Sequence, residues 1–310
     1  MKKKCIIYGG GGFIGSHIAE DLLKNNFGVT IFDKIHSSRN NIEHILNKIN
    51  FIEGDFTNEA DINKSLRGID YAIHLVSSTR PGDSNLNPVY DVESNVASSI
   101  RLFEECVKHR IKKVIFISSG GTIYGNPVKL PIKESHPTNP TSSYGITKLM
   151  IEKYLELYHL NHRLNYIILR FSNPFGERQN PLLGQGLIGS LLYKIKHHKA
   201  VEIWGDGSIV RDYFYIKDGA RAVTSALKIN SKENIFNISS GHGLSVNQIL
   251  NKFRKVLNLD FDVKYKLSRK FDVKKNVLDS SLASKILKWK LKADFDKALQ
   301  STWRYYCDNE

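Results

Sequence analysis

Two side chains in this 310-residue chain have the types and spacing for proton transfer, Tyr144 and Lys148 in Ser142-Ser143-Tyr144-Gly145-Ile146-Thr147-Lys148. Helix positions i and i+4 share a face, so the ammonium would stand beside the phenol. A neighbouring cation favours phenolate and lowers the phenol pKa from about 10. A phenol tuned in that way can exchange a proton with an alcohol or a carbonyl. The local sequence suits a helix start, with Ser142 or Ser143 as N-cap. The chain also contains a control, because Tyr213 and Lys217 have the same separation. There Tyr213-Phe214-Tyr215-Ile216-Lys217 alternates as a strand, and the match is accidental. Upstream of Tyr144 runs Ile117-Ser118-Ser119-Gly120-Gly121-Thr122-Ile123-Tyr124-Gly125, which reads as a strand exit. Hydroxyls leaving the carboxyl end of a central strand point into the crevice where open α/β sheets bind ligands. Ser119 and Thr122 are therefore candidates to polarise a reacting oxygen.

Such groups need a scaffold and a redox partner, and the N-terminus supplies signs of both. The apolar run Cys5–Tyr8 leads into Gly9-Gly10-Gly11-Gly12-Phe13-Ile14-Gly15. Two registers fit, Gly9/Gly12/Gly15 and Gly10/Gly12/Gly15. Glycine is required where a tight turn lets a pyrophosphate approach backbone N–H groups, and the following helix offers its positive end. Phe13, Ile14 and Gly15 open that helix. Asp33 follows Gly15 by eighteen residues at the end of the next strand, near the spacing of the acid that bonds a ribose 2′-hydroxyl. A carboxylate there repels a 2′-phosphate, which ranks NAD(H) ahead of NADP(H); Lys34 and Arg39 nearby pull the other way. Asp55, in Glu53-Gly54-Asp55-Phe56, is placed to meet the adenine ring or to cap its own loop.

The rest of the chain alternates short β-rich runs with longer amphipathic stretches, the pattern of βαβ units. Strands are expected at Lys4–Tyr8, Val29–Phe32, Asn50–Ile52, Tyr71–Leu75, Lys113–Ile117 and Tyr166–Phe171, and helices at Ile14–Asn25, Val89–Lys108 and Ser143–His159. Most of the strands are continuous apolar runs, as expected when helices cover both faces of a parallel sheet. The rhythm changes after Phe171, where Gly, Asn and Pro cluster. The expectation is an α/β protein, a Rossmann-type doubly wound parallel sheet with a smaller C-terminal α/β lobe for substrate. Residues 1–172 would form the dinucleotide-binding domain, with a returning segment near 211–240, and 173–310 the partly interleaved second lobe.

Composition sets the outer limits. With 41% hydrophobic and 25% charged residues, the chain is globular rather than disordered or fibrous. Its net charge of +14 favours anionic partners. The basic residues are mostly Lys spread along the whole chain, which reads as a solvated surface rather than a nucleic-acid site. Three scattered cysteines suit a reducing compartment. The apolar run after Met1-Lys2-Lys3-Lys4 is too short for a signal peptide, and no stretch approaches a membrane span. A cytoplasmic protein without membrane or nucleic-acid partners is expected. His74, His136 and the pair His197-His198 lack companions at metal spacing, so no metal site is expected.

These motifs together resemble the extended short-chain dehydrogenase/reductase family, in particular its nucleotide-sugar epimerases, dehydratases and reductases. The resemblance rests on the glycine loop, Asp33, His74-Leu75, Asn95 in Glu93-Ser94-Asn95-Val96, the Ser-Ser exit strand and Tyr144/Lys148. It continues through Arg170-Phe171-Ser172-Asn173-Pro174-Phe175-Gly176, Trp204-Gly205-Asp206-Gly207 and Arg211-Asp212-Tyr213. It implies cofactor contacts from Gly9, Gly12, Phe13, Ile14, Gly15, Asp33, Asp55, Phe56, Leu75, Asn95, Tyr144 and Lys148. It also implies a nucleoside-diphosphate sugar held by Asn173, Arg211 and Arg269, with Arg80 and Trp204 shaping the pocket. Asn95 would hold a kinked helix or a water near Lys148. A homodimer built on the helices around Val89–Lys108 and Ser143–His159 is implied as well. One departure stands out, for the family usually carries Ser or Thr four residues before Tyr124, where this chain has Gly120. A reductase that receives a ready-made ketone needs only a proton donor, so the departure tilts the expectation toward reduction. The implied activity is NAD(P)H-dependent reduction of a 4-keto nucleotide deoxyhexose, of the dTDP-4-dehydro-6-deoxyglucose to dTDP-fucose type, for O-antigen or capsule polysaccharide. The alternative is an NAD-dependent 4-epimerase of the UDP-glucose/UDP-galactose type, and a non-catalytic Rossmann binding protein ranks third.

Overall fold

The computed structural model describes residues 2–79, 82–267 and 273–309. Seven strands form one parallel sheet: β1 (Lys4–Tyr8), β2 (Gly28–Asp33), β3 (Asn50–Glu53), β4 (Tyr71–His74), β5 (Lys113–Ser119), β6 (Tyr166–Phe171) and β10 (Ile235–Ile238), in the order β10-β6-β5-β4-β1-β2-β3. Every neighbouring pair is parallel. The strand order reverses between β1 and β4, and open sheets bind ligands above such a switch point. The Rossmann-type α/β architecture expected from the sequence is thus present.

β1 shows why the strands are apolar throughout. Cys5 and Ile7 face one core, with Ile18 and Leu22 of α1 (Phe13–Lys24) and Val223 of α7 (Ile216–Lys228). Ile6 and Tyr8 face the opposite core, with Ile62 of α2 (Glu59–Ser65), Phe103 of α4 (Ser98–Lys108) and Ile151 of α5 (Ser143–His162). Two-sided burial leaves no position for the polar half of an alternating strand.

The expected helix at Val89–Lys108 is interrupted. It runs as α3 (Pro88–Asp91), a π-helical segment Val92–Ala97 and then α4. The wide turn puts Asn95 inside the fold, where its Oδ1 accepts from Ser78 N at 2.8 Å and its Nδ2 donates to the Asp91 carbonyl at 3.0 Å. A π-segment of this kind often marks a functional site. The reading of Tyr213–Lys217 as a strand needs correction. β9 (Val210–Tyr215) ends at Tyr215 and α7 begins at Ile216, so Lys217 is helical and its pairing with Tyr213 spans two elements.

Beyond β6 the chain builds a third core from α6 (Leu187–Lys196), α8 (Val246–Leu257) and α10 (Phe295–Asp308). Short sheets accompany it: β7 (Asn173–Phe175), β11 (Gly243–Ser245) and β13 (Lys275–Asn276) all pair with β9, and β8 (Val201–Trp204) pairs with β12 (Val263–Lys266). Between these pieces the chain returns to the large sheet, through α7 packed on α1 and through edge strand β10, beside which α9 (Ser281–Ile286) lies. A second tie joins the segment after β7 to α1. Buried His17 sits between the Glu177 carbonyl, 3.0 Å from Nε2, and the Arg178 guanidinium, 2.8 Å from Nδ1. Burial and that cation hold the imidazole down to about 4, so it is neutral at physiological pH. Among the described residues no helix is long and apolar enough to cross a membrane.

Candidate active site

The glycine loop joins β1 to α1 at the switch point, and each glycine has its own cause. Gly9 has φ +81°, a left-handed conformation that suits glycine. A Cβ on Gly10 would lie 2.8 Å from the Ile31 side chain, and one on Gly15 would lie 2.6 Å from Gly10 Cα. Both are therefore required by close packing of helix on strand. Gly12 differs, because a Cβ there would meet only Gly9 O at 3.4 Å, an ordinary contact. Among the described residues nothing forbids a Cβ at Gly12, which would fill the space in front of the helix. Gly12 is also the N-cap of α1, with no side-chain cap on the first-turn N–H groups. Free donors, the positive helix end and an open approach fit the pyrophosphate of a dinucleotide. Gly9 and Gly10, one from each register expected from the sequence, are each needed by the backbone.

Asp33 ends β2 beside this loop. Its Oδ2 accepts from Gly11 N at 2.9 Å and its Oδ1 from Lys34 N at 2.9 Å, which fixes the carboxylate at the loop's edge. Arg39 turns away, bonding Glu53 at 3.0 Å and lying 4.4 Å over the Phe51 ring. Asp55 spends Oδ1 on Thr57 N and Oγ1, both at 2.8 Å, and so caps its own turn. Phe56 stacks on the Tyr8 and His74 rings, and Leu75 packs beside the loop, its Cβ 3.6 Å from where a Gly9 Cβ would lie. Phe13 stands edge-on to His17, while Ile14 packs against the core.

α5 is capped by Ser142, whose Oγ accepts from Gly145 N at 3.2 Å. Its first turn presents Tyr144, and Lys148 follows one turn on. Their geometry differs from the sequence expectation. Lys148 Nζ lies 5.7 Å from the Tyr144 ring centroid, donates to the Ile117 carbonyl at 3.3 Å and sits 4.8 Å over the Phe116 ring. The ammonium thus addresses β5 and the phenol's flank. Burial, seconded by the Asp91 carboxylate, pushes Tyr144 up to about 12, opposite to the lowering expected from the lysine. Burial also pulls Lys148 down to about 8, opposed by Asp91 and Glu152. Among the described residues the Tyr144 hydroxyl has no hydrogen-bond partner.

Asp91 and Glu152 are the residues that the sequence reading missed. A usable signal existed for Glu152, because Tyr144, Lys148 and Glu152 form an i, i+4, i+8 stripe on one helix face. Glu152 is buried, pairs with Arg170 and accepts from Ser118 Oγ. Ser118 is thereby committed to the core side of β5. Ser119 ends the strand partly exposed, and the buried Thr122 Oγ1 has no hydrogen-bond partner among the described residues. Gly120 has a structural cause, since a Cβ there would run into Leu278 Cδ1. With the Arg170 and Phe171 carbonyls also 3.3 and 3.4 Å from such a Cβ, crowding gives the glycine a cause other than chemistry. We expect Gly120→Ser to lower the melting temperature without raising turnover; a stable, faster variant would show that the position faces the site.

Beyond β6 the chain lines a cavity of about 420 Å³, with Asn173, Gln179, Leu187, Arg211 and Tyr213 among its walls. Asn173 and Arg211 thus meet in one space. Asn173 Nδ2 donates to the Asp212 carbonyl at 2.9 Å, and Arg211 Nη1 to the Val273 carbonyl at 2.6 Å. Trp204 stands outside the lining, exposed at the end of β8 with Lys266 Nζ 5.5 Å from its ring. Arg80 and Arg269 lie outside the described residues. His74 is a core residue, bonded to Ser99 Oγ at 2.8 Å and held well below its ordinary pKa by burial.

Comparison with known proteins agrees with this geometry. The model of the NAD dependent epimerase/dehydratase family matches residues 5–239. UDP-glucose 4-epimerase of Neisseria meningitidis serogroup C is 30% identical, over 99% of this chain and 98% of its own. The crystal structure of UDP-glucose 4-epimerase from Thermotoga maritima with UDP-glucose superposes with TM-score 0.93 at 33% identity, covering 98% of this chain and 99% of that one. UDP-N-acetylglucosamine 4-epimerase from Methanobrevibacter ruminantium, solved with UDP-N-acetylmuramic acid, gives 0.92 at 32% identity, covering 99% of both chains. A glycine cradle at the switch point, a Tyr/Lys pair at the mouth of β5 and a full-length match to such enzymes lead to one conclusion: the chain belongs to the NAD-dependent epimerase/dehydratase family and is an NAD-dependent enzyme of nucleotide-sugar chemistry.

Proposed function

We propose that the protein is a 4-epimerase of a UDP-linked hexose, of the UDP-glucose/UDP-galactose type, rather than the 4-keto reductase favoured by the sequence reading. The observation that carries this choice is the crowding around Gly120, where an added Cβ would meet the Leu278 side chain and the Arg170 and Phe171 carbonyls. The missing hydroxyl was the reason to prefer reduction, and packing accounts for it without any change of chemistry. Ser119, one residue earlier, is left to bond the reacting oxygen, with the buried Thr122 hydroxyl behind it. The full-length relatives named above are 4-epimerases, which favours the same reading.

Bound NAD+ would supply the hydride acceptor at the sugar's carbon 4 and return that hydride later. The other work falls to the chain. To take the 4-hydroxyl proton as the C–H bond breaks, leaving a 4-keto sugar, Tyr144 must be phenolate. Burial alone disfavours that form, and the Lys148 ammonium and a positively charged nicotinamide nearby would favour it. The sugar turns, and Tyr144 returns the proton to the oxygen as the hydride re-adds to the opposite face, so no net oxidation occurs. Lys148 stabilises the phenolate from the flank. Asn173 and Arg211 would hold the diphosphate, since an asparagine amide and a guanidinium suit a dianion. Asp33, with Arg39 engaged elsewhere, favours NAD(H) over NADP(H). The exposed apolar side chains Val89, Tyr90, Ile146, Leu157 and Leu160 on α3 and α5 support a homodimer built there.

The test offers the purified protein UDP-glucose alone and, separately, NADH with a dTDP-4-keto-6-deoxy sugar. UDP-galactose should form in the first reaction without a net change at 340 nm. Stoichiometric NADH loss in the second, with no interconversion in the first, would reinstate the reductase.

A further inference from the structure

Asp91 is wholly buried, yet its carboxylate is surrounded by donors from three segments. Oδ2 accepts from Ser143 Oγ at 2.6 Å and lies 3.4 Å from Thr147 Oγ1, both on α5. Oδ1 accepts from Asn95 Nδ2 at 2.9 Å in the π-segment and from Thr79 Oγ1 in the loop after β4. Ser143 and Thr147 are the residues immediately before Tyr144 and Lys148. The bonds therefore act at the positions that aim the phenol and the ammonium. Neighbouring contacts reinforce the clamp, with Tyr144 N donating to Ser84 Oγ at 3.0 Å and Ser143 N to Asn85 Oδ1 at 2.8 Å. The π-segment has a purpose in this arrangement, since its wide turn brings Asn95 inward beneath Asp91.

We propose that Asp91 is a positioning residue for the acid–base pair: its carboxylate clamps the first turn of α5 to the π-segment, and its charge tunes Tyr144 and Lys148 without touching the substrate. The proposal rests on the reading of Tyr144 and Lys148 as the acid–base pair, and not on which sugar they serve. The donors around the carboxylate satisfy its oxygens, so its burial is compensated and the clamp is sound as an anchor. What the charge adds is electrostatic. It raises both Tyr144 and Lys148, keeping the lysine cationic against burial. The other groups facing Lys148 are Glu152, which also raises it but is shared with Arg170, and His74, which burial keeps neutral.

The variant Asp91→Asn keeps the shape and removes the charge. With NAD+ bound, kcat should fall by about tenfold or more, as expected for slight misplacement of reacting groups. KM for the nucleotide sugar should stay within about threefold, since Asp91 stands behind the helix rather than in the pocket. Loss of the negative charge lowers both pKa values, so both limbs of the kcat–pH profile should move to lower pH. Tyrosine labelled with 13C at Cζ gives a reading that needs no turnover. The Tyr144 resonance, assigned by its absence in Tyr144→Phe, should titrate at lower pH in Asp91→Asn than in the parent NAD+-loaded protein. An unchanged phenol midpoint with unmoved limbs would reduce Asp91 to a structural anchor and overturn the proposal. Should the sugar reading fail, the NMR titration still measures whether the Asp91 charge acts on the phenol. Should Asp91→Asn fail to fold, Ser143→Ala removes the 2.6 Å bond and keeps the charge. It should lower kcat with the phenol midpoint unmoved, and a full parental rate would overturn the clamp.

Discussion

Replacing Tyr144 with Phe should lower kcat by about 10²–10⁴-fold, the range for loss of a positioned acid–base group, while cofactor content and melting temperature stay close to the parent's. The hydroxyl bonds nothing among the described residues, so its removal leaves no orphaned partner and costs little stability. The aromatic ring, which flanks Lys148 at 5.7 Å, is retained. Turnover within about threefold of the parent would remove Tyr144 from the chemistry. The variant also separates two effects, because NAD+ should still bind where hydride exchange has failed.

Arg170→Met should cost stability on the order of 3–5 kcal/mol, the usual effect of leaving one member of a buried ion pair alone. Arg170 and Glu152 are 4% and 2% exposed, joined by the Nη2–Oε2 contact at 2.5 Å and by Nε–Oε1 at 3.1 Å. Nη1 also donates to Tyr124 OH at 2.9 Å, so a second buried group loses its donor. The double variant Arg170→Met/Glu152→Met should recover most of that loss, because no charge is then stranded. Urea unfolding of the three proteins gives the comparison. A single variant within about 1 kcal/mol of the parent would mean that water or a rearranged side chain reaches Glu152.

What the sequence revealed and what it hid divide along physical lines. Repeating local patterns were legible: the six strands read from apolar runs all exist, and so does the glycine loop between β1 and α1. Capping by Ser142 or Ser143 was legible too, since it needs only neighbours along the chain, and the structure uses Ser142. Environment was not. The direction of the Tyr144 shift depends on burial and on Asp91, 53 residues upstream, and neither can be read from an i, i+4 spacing. The π-segment was not legible in the amphipathic pattern, which does not distinguish a wide turn from an ordinary one; only the family resemblance implied a kinked helix or a water at Asn95. The surroundings of Gly120 were hidden for a related reason, since the Leu278 side chain that crowds it comes more than 150 residues later and no local pattern shows it. Edge strand β10 escaped the expected strands because it lies in a stretch where the rhythm had already changed.

Leu278 has one more implication, for the order in which this molecule can be made. Its neighbours stitch the far end of the chain to the mouth of β5. Asn276 Nδ2 donates to the Gly120 carbonyl at 3.2 Å, and Ile132 exchanges backbone bonds of 2.8 Å with Val277 and Asp279. A ribosome delivers β1 to β6 first, with the glycine loop and the tyrosine already in place. It supplies the plug behind Gly120 only after about a hundred further residues. Until then the growing polypeptide carries a half-built catalytic wall and a bare margin along β6. Synthesis that stops short of Asn276 should leave a product able to fold its first half and unable to close the wall.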